Sequence, residues 1–505
     1  MMNSPIDTTP AHAATDTGGI AGHPRGLSTL FLTEMWERFS YYGMRAILFL
    51  YMTKSLAEGG LAFDEKYAGL VFGTYTSSVY WTPLIGGWLA DKVFGARRAV
   101  LIGGIIIACG HFSMAFNNMV SFYGGLALIA VGTGLLKPNI STMVGDLYAE
   151  HDARRDAGFS IFYMGINLGA LIAPLVCGYL GQKVDWHYGF AAAGFGMVLG
   201  LLQYVFSGDR LRNIGDKPTP TDARDHADIS AAATQTTGAD YLTVVFAVVG
   251  ALIGFFIGMQ WGSEGLLSAL FPSVVGFFAG YIAGVVRHLN RDEAKRVGVI
   301  FILFIFSILF WMSFEQAATS LTLFADRLTR TSVFGWEFPS SWFQSVQPTF
   351  IILFAPIAAG IWLKLGRRQP SSPAKFTFGL IFAAAAFAVV AFASTLTGAG
   401  KVSPLWLVSV YLLQTLGELC LSPVGLSTVT KLSPARMVGL MMGVWFLALS
   451  IGNFIAGQLG GRFDEQAEGA LLRLFGSVAF VTMVGAVILA LLTPYIKKLS
   501  PRASE

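Results

Sequence analysis

Four ionisable residues fall within twelve positions of one apolar stretch, FLTEMWERFSYYGMRAILFL at Phe31–Leu50: Glu34, Glu37, Arg38 and Arg45. At the centre of a membrane helix each charge costs roughly 2.5–3.5 kcal/mol on insertion scales. The four must therefore face one another, water or a ligand. Helix geometry permits this. At about 100° per residue, Glu34, Arg38, Tyr41 and Arg45 project at roughly 0°, 40°, 340° and 20°. They form one narrow stripe, with Tyr42 beside it and Glu37 on its shoulder. Glu34 and Arg38 are an i,i+4 pair of opposite sign. The other faces carry Phe, Leu, Met and Ile, so this helix turns packed neighbours or lipid to one side and a polar cavity to the other.

Further polar groups lie deep in apolar runs. Lys137 stands in LALIAVGTGLLKPNIS, followed by Pro138, and Asn167 in FYMGINLGA. Trp311 and Glu315 in FWMSFEQ, and Glu418 and Ser422 in QTLGELCLSP, are i,i+4 pairs. The buried inventory sets Glu34, Glu37, Glu315 and Glu418 against Arg38, Arg45 and Lys137. One carboxylate in excess, in a low-dielectric place, marks a site that accepts a proton. The cations sit in the first half of the chain, and the deep charges of the second half are carboxylates alone. A solute with a carboxylate at one end and an ammonium at the other would bridge the halves. Tyr41, Tyr42, Tyr75, Trp311 and Trp445 offer walls for its side chains by stacking and cation–π contact. A small peptide fits this better than a sugar. The competing reading is structural: ion pairs that lock helices, ordinary packing of Tyr75 and Trp445, and an interhelical hydrogen bond from Asn167. Asp91, Arg97 and Arg98, in GGWLADKVFGARR, stand at a helix–loop edge, as a gate or hinge or simply as a topology signal.

The elements that must position these residues are membrane helices. Of 505 residues, 54% are hydrophobic and 13% charged, against about 25% charged in soluble proteins; the mean hydropathy is +0.60. An all-α polytopic membrane protein is expected. Runs of about 20 apolar residues fall near 27–53, 67–90, 99–117, 120–140, 158–181 and 189–207, then 241–260 and 265–287, then 297–324, 343–365, 375–396, 404–428, 437–460 and 470–494. That is fourteen spans, as 6 + 2 + 6. The expected organisation is a disordered cytoplasmic tail at 1–26, a six-helix bundle at 27–207, a cytoplasmic linker at 208–240, two extra helices at 241–290, a second six-helix bundle at 291–498 and a short tail at 499–505. Two similar bundles around a central site are the major facilitator architecture. With the N-terminus inside, 23 Lys and Arg fall on the cytoplasmic side, eight on the other and three within spans, which puts both termini in the cytoplasm.

Net charge of +4 is small, and the cations belong to topology, so nucleic acid is not an expected partner. Cys109, Cys177 and Cys420 all lie in apolar runs, which disfavours a disulfide framework. No metal-ligand spacing or cofactor motif is present. No span pairs Ser or Cys with His, and no HExxH appears, so an enzyme is not expected.

These residues also carry a family resemblance. From about 27 to 495 the chain resembles the proton-dependent oligopeptide transporters, the POT or PTR family of the major facilitator superfamily, bacterial type. Glu34-x-x-Glu37-Arg38 matches the family's ExxER signature. FYMGINLGA, GTGLLKPNIS, FWMSFEQ and GELCLSPVGLS match its fifth-, fourth-, seventh- and tenth-helix motifs, and GGWLADKVFGARR, with Asp91 and Arg97, the superfamily's cytoplasmic loop motif. The resemblance implies a proton-coupled symporter importing di- and tripeptides across the inner membrane, working as a monomer. Glu34, Glu37, Arg38 and Glu315 would serve proton coupling. Arg45 with Lys137 would receive the peptide carboxylate; Glu315 and Asn167 would receive its amino terminus. Tyr41, Tyr42, Tyr75 and Trp311 would line the pocket, with Ser422 near Glu418. Arg45–Glu315 and Lys137–Glu418 would close as gating pairs. Two departures stand out. Gln347 occupies a position where the family often has Asn, which reshapes the amino-terminal subsite by one methylene. The second-helix histidine of animal members has no counterpart, so proton handling must rest on carboxylates. Plant relatives leave a transporter of nitrate or another small anion as the alternative, although an anion gives Glu315 no ammonium to meet.

Overall fold

The computed structural model describes residues 16–149, 152–211, 214–216, 241–262 and 264–499. Fifteen α-helices occur among them: α1 Arg25–Thr53, α2 Glu65–Leu89, α3 Ala96–Met114, α4 Met119–Asp146, α5 Arg155–Tyr179, α6 Trp186–Phe206, α7 Tyr241–Trp261, α8 Leu266–Val286, α9 Arg291–Phe314, α10 Ser320–Leu328, α11 Val346–Leu365, α12 Ser372–Thr395, α13 Leu405–Leu432, α14 Val438–Gly460 and α15 Ala470–Leu499. All but α10 have 19 residues or more, and α10 continues α9 through a tight turn at Glu315–Ala318. Among the described residues, twelve helical runs are long and apolar enough to cross a membrane. The long helices outside that set are α1, which carries the charged stripe, and α2, whose run is diluted by Gly, Ser, Thr and Tyr. The protein is an all-α membrane protein.

Local signals fix where helices begin. The Asn290 side chain accepts the Asp292 and Glu293 N–H groups, and the Glu293 carboxylate accepts the Asn290 N–H, a complete capping box for α9. Asn118 and Asp185 cap α4 and α6 with their side chains alone, accepting the Ser121 and His187 N–H groups. The two extra helices pack by backbone approach. Gly250, Gly254 and Gly258 of α7 meet Gly276, Pro272 and Ala269 of α8 so closely that a Cβ at Gly250 would lie 2.1 Å from the Gly276 oxygen. Small residues four apart are the membrane solution for such a crossing. A short hairpin joins α10 to α11: β1 Ser332–Val333 pairs antiparallel with β2 Trp336–Glu337, Val333 opposite Trp336.

Two compact units result: Met1–Met44 with Thr82–Pro220, and Arg45–Trp81 with Thr221–Glu505. Helices α1 and α2 thus contribute one part to each unit. The first is centred on Leu27, Leu30, Val100, Leu136, Ile140 and Met197; the second on Leu303, Phe310, Phe376, Leu380, Leu421 and Leu489. Most of the expected linker at 208–240, residues 1–15 of the N-terminal tail and residues 500–505 lie outside the described residues.

Candidate functional site

The α1 stripe of the first unit is fully enclosed: Glu34, Glu37 and Arg38 are 3%, 0% and 4% exposed. Crossing of α1 by α5 places it there. A side chain at Gly169 would put its Cβ 2.3 Å from the Met35 carbonyl, so only glycine lets the helices meet at this height. Arg38 Nε donates to Glu37 Oε2 and lies 3.1 Å from Glu34 Oε1 as an ion pair. Glu34 Oε2, Glu37 Oε1 and Arg38 Nη2 are buried with no hydrogen-bond partner among the described residues. A purely structural ion triad is retained with its polar atoms satisfied, because each orphaned one carries a desolvation cost. The guanidinium lies over Tyr41, 5.4 Å from the ring centre, and Tyr41 meets Tyr42 edge-on at 5.2 Å. Asn167 is buried on α5, and its Nδ2 donates to the Tyr163 carbonyl at 3.0 Å, a bond within its own helix. Lys137 is half-buried on α4.

The second unit carries the other charges. Arg45 Nη2 donates to Glu315 Oε2, and both residues are buried. Glu315 stands where α9 gives way to the tight turn before α10, which brings its carboxylate off the helix face and onto α1. The Arg45 guanidinium also lies 5.8 Å from the Phe72 ring centre. Trp311, one turn earlier, is buried with Nε1 unpartnered among the described residues. On α13 the half-buried Glu418 accepts a 3.1 Å hydrogen bond from Gln347 Nε2, while Ser422 Oγ has no partner among the described residues. Tyr75 is buried on α2. Trp445 belongs to the hydrophobic core, against Gly425 and edge-on to Phe376 at 5.9 Å.

A second set of charges in this unit sits at helix ends, where spacing alone does not mark it. Beyond Arg45, Lys54 Nζ lies 3.0 Å from Asp326 Oδ2 and 3.2 Å from Glu58 Oε1, and Ser340 Oγ donates to Asp326 at 2.8 Å. Burial pulls the Lys54 ammonium below its ordinary pKa, but Asp326 and Glu58 outweigh it and hold the group above that value. Arg327 Nη1 lies 2.9 Å from Glu65 and 3.7 Å from Glu465, with its guanidinium over Phe463. The ends of α1 and α2 are thereby tied to the end of α10 and to the loop before α15. At the other end of α2, Asp91 is exposed in a wide π-type turn, Ala90–Phe94. Arg97 staples the start of α3 to the segment after α6, its Nη2 donating to the Gly208 carbonyl at 2.9 Å and its N–H to that of Gly215 at 2.8 Å.

Helical units with enclosed, incompletely satisfied charges on membrane helices define a polytopic carrier of the major facilitator type. Residues 97–474 match the POT family, and the chain belongs to it. It is similar to the peptide transporter YePEPT of Yersinia enterocolitica, with 41% identity over 95% of both chains. It is similar also to a di-/tripeptide transporter of Lactococcus lactis, with 38% identity over 94% of this chain and 96% of that one. A crystal structure of a peptide transporter POT in complex with sulfate superposes with a TM-score of 0.81 at 41% identity, covering 96% of this chain and 98% of the other.

Proposed function

We propose that this chain is a proton-coupled symporter that carries di- and tripeptides inward across the cell's inner membrane by alternating access, with both termini cytoplasmic. The observation that carries the reading is the Glu34–Glu37–Arg38 triad. A single guanidinium is shared by two enclosed carboxylates, and each member keeps an atom without a hydrogen-bond partner among the described residues. Protonating either carboxylate removes one of the two negative charges holding Arg38 and loosens its guanidinium, which couples the proton to the site where Arg45 takes the peptide carboxylate. The names of the relatives supply the cargo class. A proton moving down the membrane potential gives about 2.3 kcal/mol per 100 mV, enough to concentrate a neutral zwitterion tens of fold.

The test is a competition panel in proteoliposomes with an inward acid gradient. Dialanine, trialanine, free alanine and nitrate are set against a labelled dipeptide. The two peptides are expected to compete and drive proton entry, whereas alanine and nitrate are not. Nitrate uptake that dialanine leaves untouched would overturn the reading.

In this cycle the Arg45–Glu315 pair and the Lys54–Asp326 and Arg327–Glu65 contacts close the outer end. A half-exposed pair such as Lys54–Asp326 couples by about 1 kcal/mol, or about fivefold. Lys54→Asp and Asp326→Lys are each expected to slow dipeptide uptake severalfold, and the double exchange to restore it to within about twofold. Failure of the double exchange to recover would assign these charges to some other task.

A further inference from the structure

Away from the charged site, the second unit holds a buried cation with no anion. Lys375 is the fourth residue of α12 and is 9% exposed. Its ammonium lies 4.4 Å from the centre of the Trp362 ring, near the end of α11, and donates to Gln369 Oε1 at 2.8 Å. A ring face and a neutral amide oxygen are its contacts among the described residues. The groups that act on it through space are the Cys420 thiol and a second cation, Lys431, both on α13. Carboxylates are scarce here. Glu418 is the one Asp or Glu between Glu337 and Asp464, and it is bonded to Gln347 instead. A buried charge is normally paired, because an unpaired one carries its full desolvation cost. A cation in the first turns of a helix also faces the positive end of the helix dipole, the reverse of the favourable arrangement.

Ser371 opens the same helix. Its backbone, with φ of −62° and ψ of 158°, is that of an N-cap, yet its hydroxyl caps nothing. The residue is 7% exposed, and its Oγ is buried with no hydrogen-bond partner among the described residues. The first N–H groups of a helix have no partner within it and favour negative charge. One helix start therefore gathers a buried hydroxyl without a partner, a buried ammonium with one of its three donors in use, and the positive end of the dipole. All three call for an acceptor that carries negative charge. Lys364 and Arg368 stand exposed nearby in sequence. Gln369 is exposed too, and its amide oxygen sits on the ammonium where an anion's oxygen would.

We propose that the start of α12 is a binding site for a phosphate group. Lys375, the Ser371 hydroxyl and the helix N-terminus take its oxygens, and the Gln369 amide swings aside to admit it. A phosphate offers several charged acceptor oxygens to donors of three kinds. Free phosphate and a phospholipid headgroup share this chemistry, and the test separates them. The thermal unfolding midpoint of the full-length protein in detergent is measured with inorganic phosphate against chloride at matched ionic strength. It is measured also with dioctanoyl phosphatidylglycerol against dioctanoylglycerol, which lacks the phosphate. Lys375→Gln removes the cation. Gln369→Glu sets a carboxylate on the ammonium and fills the site from within the chain. Phosphate, the anionic lipid or both are expected to raise the parent's midpoint by at least about 2 °C, and each variant to cut that rise by more than half. A rise with phosphate alone makes the ligand a soluble anion; a rise with the lipid alone makes it a headgroup. No rise with either ligand, or a rise that either variant leaves at more than half, would overturn the proposal. Gln369 is exposed, so Gln369→Glu decides the matter even where Lys375→Gln fails to fold.

Discussion

A Glu37→Gln protein in proteoliposomes is expected to lose proton-driven accumulation of dipeptide, the ratio falling from tens of fold to near one, while counterflow exchange continues. The substitution is nearly isosteric. It keeps an acceptor for Arg38 Nε and removes only the charge, at a position with no solvent exposure. Glu34 still faces Arg38 as a 3.1 Å ion pair, so the guanidinium stays in place. What is lost is the second carboxylate, and with it the alternative between a proton and a cation as its partner. Exchange needs binding and reorientation but no net proton movement, so it should survive. Its dependence on external pH should flatten in the same protein. Gradient-driven accumulation that persists would remove Glu37 from coupling.

How much of this was legible in the sequence depends on what each feature contrasts with. The α1 stripe stands out because charges in an apolar run have few tolerable arrangements, and helical spacing alone puts Arg38 against Glu34. The apolar runs stand out because about 20 residues are needed to span a bilayer. Spacing could not name the partner of Arg45, because 270 residues separate it from Glu315; there the family resemblance supplied what periodicity lacks. The Gln347–Glu418 bond is hidden in the same way, since an amide in an apolar helix has many possible acceptors. Lys54, Asp326, Arg327 and Glu65 lie in loops and at helix ends, where a charge is ordinary and only tertiary packing makes it a contact. Trp311 and Trp445 look alike as sequence. Both are buried in the same hydrophobic cluster; what separates them is the Trp311 indole N–H, which has no hydrogen-bond partner among the described residues. The hairpin was missed because Phe–Gly is a poor type I′ signal beside Asn–Gly.

Arg45→Ala is expected to fail in both assays, losing exchange as well as gradient-driven uptake, with dipeptide affinity reduced at least tenfold. The difficulty is that Arg45 is also half of a buried ion pair. Removing one partner leaves the Glu315 carboxylate enclosed without that cation, a change that costs about 3–5 kcal/mol in comparable sites. Loss of function in the single variant therefore mixes damage to the fold with loss of a grip on cargo. Adding Glu315→Gln separates them. The double variant no longer strands a charge, so its thermal unfolding midpoint in detergent should return most of the way to that of the parent protein. If Arg45 grips the peptide carboxylate, dipeptide binding should stay absent from this restabilised protein, because neither Ala nor Gln offers a cation. Glu315→Gln alone should keep measurable binding through Arg45. Binding that returns with stability in the double variant would confine Arg45 to closing the outer end of the carrier, and the peptide carboxylate would then have to be met by Arg38.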